Sequence, residues 1–195
     1  DPLTGLLNRR ALSQRLAERF ADSRTVPFVV AMLDLDHFKP VNDEHGHAVG
    51  DAVLCALSAR LTSSLREGDL VARLGGDEFQ IILPDVDDRG KLGDMAADII
   101  NSLSQPYSVE GSRCIIGASV GVAIAPFDGL SSDALVRHAD LALYAAKGNG
   151  RGRFSFYSSD LHQAAEIRRA LEDDLRDAIG RIARFLEAYR KRHGT

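Results

Sequence analysis

The stretch that decides how this chain folds is Arg73-Leu74-Gly75-Gly76-Asp77-Glu78-Phe79. Short apolar segments lie on both sides of the paired glycines, a pattern typical of two strands joined by a tight turn. Glycines at the turn carry no side chains, so a bulky ligand can approach the backbone closely. The acids Asp77 and Glu78 put negative charge where a divalent cation can be held beside that ligand. The stretch therefore predicts a hairpin that binds a metal-bound phosphate compound.

The composition indicates one globular domain with an appendage. The chain has 195 residues, of which 45% are hydrophobic, and a formal net charge of −4. The negative charge argues against broad polyanion binding, so nucleic acid is not expected as a partner. No apolar run approaches the ~20 residues that a membrane span requires, and no signal peptide is visible, so no membrane contact is expected. Cys55 and Cys114 lie in apolar runs and are interpreted as free thiols of a reducing, cytoplasmic compartment, although a disulfide stays an alternative.

Apolar periodicity predicts an α/β (α+β) fold. Asn8 is a predicted cap of a helix, and Phe28–Asp34 reads as a buried strand that ends in an acid. A polar stretch over residues 37–50 leads into a second helix. Hairpins then alternate with helices, which indicates a mostly antiparallel central sheet covered by helices. The later elements are predicted at residues 70–74 and 79–83 (hairpin), 92–103 (helix), 107–109 and 114–124 (strand pair), 132–146 (helix) and 153–157 (strand).

The composition shifts after Tyr157, so we expect a domain over residues 1–157 and a separate segment over residues 158–195. Residues 160–192 contain no proline and are rich in Arg, Glu, Asp and Ala. Their apolar residues are spaced 4, 3, 4, 3, 4, which predicts either a short coiled coil or an amphipathic helix that packs back on the domain. The residues of this predicted seam are Leu171, Leu175, Ala178, Ile182, Phe185 and Tyr189.

Asp34 is an acid at the end of a strand that is otherwise apolar. An ionised carboxylate there is costly unless it is solvated, paired or bound to a metal. Asp36 lies on the same face by the two-residue period of a strand, although it is equally suited to cap a turn at His37–Lys39. If Asp77 reaches the same sheet edge, the clustered acids require a cation. His37, His45 and His47 have poor spacing for zinc and no cysteine partners.

Five segments resemble the diguanylate cyclases of the GGDEF family, in order and over about residues 1–157. RLGGDEF (73–79) and DLDHFKPVNDEHGHAVGD (34–51) are similar to the two diagnostic blocks of that family. DPLTGLLNRR (1–10) resembles its opening, and SVGVA (119–123) and ADLALYAAKGNGRGR (139–153) resemble its closing blocks. The resemblance implies a nucleotide-cyclase or polymerase-palm-like sheet. It also implies the condensation of two GTP into cyclic di-GMP with release of two pyrophosphates, by a homodimer in which each subunit holds one GTP.

The resemblance also implies a metal and catalytic centre. Asp34, the Leu35 carbonyl, Asp77 and Glu78 would hold Mg²⁺ (or Mn²⁺), two ions per GTP. By the same resemblance Asp77 would serve as base toward the 3′-hydroxyl, with Glu78 as the second acid beside it. A carboxylate is a weak base, so metal activation of the hydroxyl must carry much of that step.

Substrate contacts are implied at further motif positions. Asn42 and Asp51 would read guanine, whose N1 and N2 hydrogens a carboxylate can accept, and His47 would line the same pocket. Lys147 and Arg151 would bind the triphosphate with help from Lys39, and backbone N–H groups at Phe38 and its neighbours could bind phosphate at a helix start. Gly75 and Gly76 would let the hairpin approach the nucleotide. Without the resemblance, these positions read more simply as turn residues and a basic helix end.

Arg66-Glu67-Gly68-Asp69 fits the RxxD inhibitory motif of the family at its usual distance from the glycines. Arg66 and Asp69 would bind the guanines of cyclic di-GMP and hold the two GTP sites apart. The simpler interpretation is a solvent-exposed Arg–Asp pair of little energetic value.

Two other functions compete with an active cyclase. One is a catalytically silent GGDEF domain that senses GTP or cyclic di-GMP and regulates a partner domain; the presence of all the motif acids argues against it. The other is a scaffold whose terminal helix pairs with another protein. The segment FYSSDLHQAAEIRRALEDDLRDAI resembles a linker to an EAL phosphodiesterase domain, but residues 180–194 do not match an EAL start. Because the chain begins at Asp1, we expect an upstream sensory part in the parent protein.

Overall fold

A six-stranded sheet organises the first of two compact units, Asp1–Ser158 and Ser159–Thr195. The computed structural model describes residues 1–21, 26–109 and 111–193. The strands are β1 (Leu7–Asn8), β2 (Phe28–Asp36), β3 (Leu70–Gly75), β4 (Glu78–Pro84), β5 (Tyr107–Val109), β6 (Ser112–Cys114), β7 (Gly117–Ala125) and β8 (Phe154–Phe156). The helices are α1 (Arg9–Ala21), α2 (Phe38–His45), α3 (His47–Ser63), α4 (Arg89–Leu103), α5 (Ser132–Gly148) and, forming the second unit, α6 (Ser159–His193).

The strand order in the main sheet is β1-β3-β4-β2-β7-β8. Strand β2 pairs antiparallel with β4 and with β7, and β3 pairs antiparallel with β4. Only the outer strands β1 and β8 pair in parallel in the described sheet. The prediction of a mostly antiparallel sheet covered by helices is confirmed, as is the hairpin around the glycines.

Strand β2 is the central element of the unit, and all nine of its residues are buried. Its side chains alternate between two apolar clusters, as the two-residue period of a strand requires. Val29 and Leu33 pack in the cluster that includes α3 and α4, whereas Val30 and Met32 pack in the cluster that includes α1 and α5. By the same alternation, the acids at the end of β2 lie on the α1 and α5 side of the sheet.

The polar stretch 37–50 is more helical than the sequence indicates. It contains α2 and the first turn of α3, separated only by Gly46 at φ 84°. Phe38 and Val41, three residues apart, bury one side of α2 against the core. Pro40 lies in the first turn, where no intrahelical N–H is needed. The charged neighbours hid this short apolar pattern from sequence reasoning.

The predicted strand over residues 114–124 is in fact two strands of different sheets. β6 pairs with β5 in a separate two-stranded sheet, whereas β7 pairs with β2 and β8. The break falls at Ile115, which is 64% exposed, and Ile116, which is 1% exposed. Gly117 directly follows the break, but a single glycine inside a strand pattern indicates a bulge as readily as a strand end, so the signal is weak.

The predicted helix ends are correct in one case and shifted in the other. The Asn8 side chain accepts from the Ala11 backbone N–H at 2.9 Å, which caps α1 as predicted. Helix α5 is capped by Ser131, whose hydroxyl accepts from the Ala134 N–H at 3.3 Å, and not by Ser132 or Asp133. Such one-residue shifts are ordinary at helix ends.

The second unit is the single helix α6, 35 residues long. Leu171, Leu175 and Ile182 of the predicted seam are 59–63% exposed, and Phe185 and Tyr189 lie outside the described side chains. In residues 1–21, 26–109 and 111–193, no helix has both the length and the apolar character that a bilayer crossing requires.

Candidate functional site

The end of β2 and the start of β4 bring the predicted acids to one edge of the sheet. Asp34 lies opposite Glu78 in the β2–β4 ladder and opposite Ser119 in the β2–β7 ladder. The Leu35 backbone N–H donates to the Asp77 carbonyl at 3.2 Å. The backbones of the predicted metal-binding residues are therefore adjacent. Glu78 itself is exposed and lies 3.8 Å from Arg9.

Lys147, near the end of α5, forms a close ion pair at this edge, with its Nζ 2.7 Å from Asp34 Oδ2. The Asp34 side chain is 12% exposed. Burial raises the pKa of Asp34 above its ordinary value, the Lys147 ammonium opposes that rise, and the charges of Asp77 and Asp36 add to it. Since burial outweighs the ion pair, a single ammonium does not fully compensate the buried acid.

The donor chemistry at this edge suits a hard divalent cation. Carboxylates and a backbone carbonyl are the oxygen ligands that Mg²⁺ prefers. The Lys147 ammonium already contacts Asp34, so the acids create a negative potential there that attracts a cation. In the described part of the chain, however, no three His, Cys, Asp or Glu side chains are gathered as a preformed metal cluster.

The hairpin tip is open above its two glycines. Gly75 has φ 145° and Gly76 has φ 54°, conformations that residues with a Cβ rarely adopt. No described atom lies within 4 Å of where a Cβ would be at either position. Arg73 links the turn to the start of the chain. Its Nε donates to the Gly76 carbonyl at 3.0 Å, and its Nη1 lies 3.4 Å from Asp1 Oδ1. Sequence reasoning assigned no role to Arg73, although it lies within the deciding stretch.

The N-terminus of α2 directly follows the acidic strand end. His37 adopts the left-handed conformation (φ 62°), and its side chain does not cap the helix start. The Phe38 side chain is buried, so only its backbone N–H can serve the predicted phosphate contact. Lys39 is exposed. Asp36 does not cap this turn; its carboxylate binds Ser119 and Gly152 instead.

The three predicted guanine-binding positions lie on the adjoining helices α2 and α3. A Cβ on Gly50 would lie 1.9 Å from Asn42 Oδ1, so the Asn42 side chain covers Gly50, the neighbour of Asp51. Asp51 and His47 are both exposed on the first two turns of α3. The described contacts do not join His47 to Asn42 or Asp51.

Arg151 lies just beyond α5, and its side chain is 52% exposed. Its Nε is 3.7 Å from Asp36 Oδ1. Lys147 and Arg151 thus pair with two acids of β2 that are two residues apart, on the same side of the sheet. Sequence reasoning singled out Lys147 and Arg151 but did not identify Asp36 as the partner of Arg151.

Arg66 and Asp69 lie at the other end of the sheet. Arg66 Nη2 is 3.1 Å from Asp69 Oδ1 and 3.3 Å from the Pro84 carbonyl, and the Arg66 backbone N–H donates to Asp69 Oδ2 at 2.8 Å. Pro84 ends the strand that Glu78 begins, so the pair is about 20 Å from the hairpin tip at ~3.3 Å per residue. Asp69 is 1% exposed in its side chain, whereas Arg66 is 51% exposed.

Comparison with known proteins supplies the family. The family described as "Diguanylate cyclase, GGDEF domain" matches residues 1–153. The chain is 37% identical over 185 residues to the bifunctional diguanylate cyclase/cyclic di-GMP phosphodiesterase MucR of Pseudomonas aeruginosa, which covers 93% of this chain and 27% of MucR. The chain thus spans about a quarter of the length of that relative.

Solved structures match about four fifths of the chain. The GGDEF domain of TpbB (YfiN) from Pseudomonas aeruginosa superposes with a TM-score of 0.76 at 36% identity, covering 80% of this chain and 98% of that one. The GGDEF domain of DgcB from Caulobacter crescentus, in complex with c-di-GMP, gives a TM-score of 0.73 at 29% identity, covering 80% and 94%. With its acidic strand end, glycine hairpin and basic helix end in one place, this chain belongs to the GGDEF family of diguanylate cyclase domains.

Proposed function

We propose that this domain condenses two molecules of GTP into cyclic di-GMP. In each of two equivalent steps, the 3′-oxygen of one GTP forms a bond to the α-phosphorus of the other. The bond from that phosphorus to the bridging oxygen breaks, pyrophosphate leaves, and the hydroxyl proton passes to a base. The observation that carries the proposal is the convergence of Asp34, the Asp77–Glu78 turn and Lys147 at one sheet edge.

The acids of this edge would hold the metal. Asp34, the Leu35 carbonyl, Asp77 and Glu78 are the proposed ligands of Mg²⁺ or Mn²⁺, two ions per GTP. When bound, such ions lower the pKa of an attacking hydroxyl and neutralise charge on a leaving pyrophosphate. Asp77 would accept the hydroxyl proton. Lys147, now on Asp34, would turn to the triphosphate once a divalent cation compensates that acid.

The remaining proposed contacts fix the nucleotide. Arg151, Lys39 and the backbone N–H of Phe38 would bind phosphate oxygens, since helix starts and cations favour anions. Asn42, Asp51 and His47 would bind guanine. Gly75 and Gly76, with open space above them, would let the sugar and α-phosphate pass close to the hairpin.

The domain would work beside other domains and a second copy of itself. Residues 1–157 are the proposed cyclase domain, and residues 158–195 a helical linker. MucR is described as both a diguanylate cyclase and a cyclic di-GMP phosphodiesterase. That similarity supports an EAL phosphodiesterase domain in the parent protein. An upstream sensory domain is the other proposed neighbour, and a homodimer supplies the second GTP.

Replacing Asp77 tests the proposed chemistry. Asp77→Asn keeps the size of the side chain but removes a metal ligand and the base. The rate of cyclic di-GMP and pyrophosphate release from GTP and Mg²⁺ should fall about a thousandfold, the equivalent of ~4 kcal/mol of transition-state stabilisation.

The control for this test is Asp94→Asn, an acid on the unrelated helix α4, which should leave the rate unchanged. Turnover by Asp77→Asn at the wild-type rate would exclude the assignment. If the wild-type chain binds GTP but releases no product at high protein concentration, the domain is a silent sensor.

Product inhibition is proposed at Arg66 and Asp69. Another GGDEF domain binds c-di-GMP in its crystal, and here Arg66 is half exposed while Asp69 holds its guanidinium in place. Added cyclic di-GMP should lower the initial rate of the wild-type chain, and Arg66→Ala should remove that effect without lowering the uninhibited rate. Arg113→Ala, an exposed arginine in β6, is the matched control. Equal inhibition of Arg66→Ala and the wild type would contradict the proposal.

A further inference from the structure

Asp36 is a buried acid that the proposed chemistry does not use. It is 3% exposed. Its Oδ2 accepts from the Ser119 hydroxyl at 2.8 Å and from the Gly152 backbone N–H at 3.0 Å. Its Oδ1 is buried and receives no hydrogen bond from the described residues. A buried carboxylate with an unpaired oxygen is costly, so its position calls for a compensating charge.

The only cation that the structure pairs with this acid, among the described residues, is Arg151, with Nε 3.7 Å from Oδ1. That distance is too long for a hydrogen bond, yet it is close enough for strong attraction to a buried charge. The Asp36 carboxylate therefore contacts the loop after α5 twice, at the Gly152 backbone N–H and at the Arg151 side chain.

The loop holds one residue, Arg151, in an unfavourable backbone conformation. Gly150, Arg151 and Gly152 all have positive φ, at 115°, 61° and 58°. The left-handed conformation costs a residue with a Cβ on the order of 1 kcal/mol, so Arg151 keeps it only because its surroundings hold it there. The Arg151 N–H donates to the Ala146 carbonyl at 3.2 Å, which ties one side of the turn to α5. The Gly152 N–H on Asp36 ties the other side to β2.

We propose that Asp36 is the positioning residue for Arg151. Its Oδ2 accepts from the backbone of the turn at Gly152, and its Oδ1 attracts the guanidinium to the side of the sheet on which Lys147 meets Asp34. Without Asp36, the half-exposed Arg151 side chain would take up several orientations in solvent, and fewer of them would place the guanidinium near the phosphates. This inference rests on the proposed role of Arg151 in triphosphate binding.

A double-mutant cycle with two nucleotides tests the proposal. The full chain is titrated calorimetrically, with Mg²⁺, against 3′-deoxy-GTP and 3′-deoxy-GMP, which bind without condensing because they lack the attacking hydroxyl. Asp36→Ala and Arg151→Ala should each weaken 3′-deoxy-GTP binding about tenfold and 3′-deoxy-GMP binding less than twofold, as expected for a misplaced phosphate contact. The double variant should bind 3′-deoxy-GTP within about twofold of Arg151→Ala, because coupled residues do not add.

Each failure has a separate meaning. If Arg151→Ala does not weaken 3′-deoxy-GTP binding more than 3′-deoxy-GMP binding, the proposed role of Arg151 is wrong. If Arg151→Ala behaves as expected but the double variant is about a hundredfold weaker, the two residues act independently and the positioning role alone is overturned. Equal weakening of both nucleotides by Asp36→Ala would likewise reduce Asp36 to a structural acid.

Controls keep the cycle interpretable. Asp128→Ala removes another paired acid, with a side chain 9% exposed, which lies 3.5 Å from Arg89 and accepts from the Ile124 N–H at 2.8 Å. It should lower the melting temperature without changing the ratio of the two affinities. If Asp36→Ala does not fold, Asp36→Asn replaces it in the cycle, since the amide oxygen can still accept from Ser119 and Gly152 while the charge facing Arg151 is lost. Additivity in that cycle overturns the proposal as well.

Discussion

Gly50 shows how one missing side chain shapes the proposed guanine pocket. It lies inside α3, where glycine is less favourable than alanine by ~1 kcal/mol, so a reason other than helix stability is needed. The Asn42 side chain occupies the space that a Cβ would fill, with Oδ1 1.9 Å from that position. Since Asn42 is a flexible side chain, an added methyl group would displace it rather than break the helix.

We therefore expect Gly50→Ala to damage binding more than stability. The dissociation constant for 3′-deoxy-GTP should rise about tenfold, the equivalent of one lost hydrogen bond to the base, because Asn42 is moved away. The melting temperature should stay the same or rise, since alanine favours the helix.

Gly180→Ala is the control for that substitution. It makes the same change inside α6, where the nearest side-chain atom is 3.7 Å from the new Cβ. It should not affect the affinity. A Gly50→Ala variant that binds as tightly as the wild type would show that Asn42 does not need its present position.

At the scale of elements, the site depends on how closely α5 packs on β7. A Cβ on Gly121 would lie 2.1 Å from both the Ala139 carbonyl oxygen and the Leu143 nitrogen. Both are backbone atoms, so the whole helix would have to move. The same helix ends in Lys147, whose ammonium must reach Asp34. Close packing of α5 therefore sets the position of the basic side chain.

We expect Gly121→Ala to destabilise the domain by about 3 kcal/mol, the upper part of the range for overpacked cores. The free energy of unfolding, measured with urea, checks this value. Gly148→Ala on the same helix is the control, because no described atom lies within 4 Å of its new Cβ. A loss below ~1 kcal/mol in Gly121→Ala would mean that α5 shifts outward with little resistance.

At the scale of the whole molecule, the domain carries one proposed GTP site and needs a second. The hydroxyl of a nucleotide cannot reach its own α-phosphorus to make a product with two nucleotides. In the proposed reaction the attacking partner comes from another copy, so the proposed working unit is a homodimer.

The rate per molecule should therefore rise with protein concentration until dimers are saturated. Excess Asp77→Asn chain should then inhibit the wild type, because mixed dimers carry only one competent site. Asp94→Asn in the same excess should not inhibit. A rate per molecule that is independent of concentration and unaffected by Asp77→Asn would contradict a dimer that forms and dissociates during the assay.

The sequence alone determined the elements whose signals are local. The glycine turn, the cap at Asn8 and the apolar strand that ends in Asp34 follow from residues a few positions apart. The two strands in residues 112–125 were missed because the break between them falls at Ile115 and Ile116, two apolar residues, and the single Gly117 after them is a weak signal. Only a helical turn at His37–Lys39 was anticipated where α2 runs from Phe38 to His45, because only Phe38 and Val41 mark its buried side.

Only the tertiary structure decided which charges meet. Strand alternation places Asp34 and Asp36 on one side of β2, but it does not say what covers that side. The pairing of β2 with β7, and of β7 with β8, brings the loop after α5 to the strand end, so that Gly152 reaches Asp36 from 116 positions away. Side-chain direction is a local property of the chain, whereas strand pairing is not, and for this reason the partners of the two acids could not be read from their neighbours in sequence.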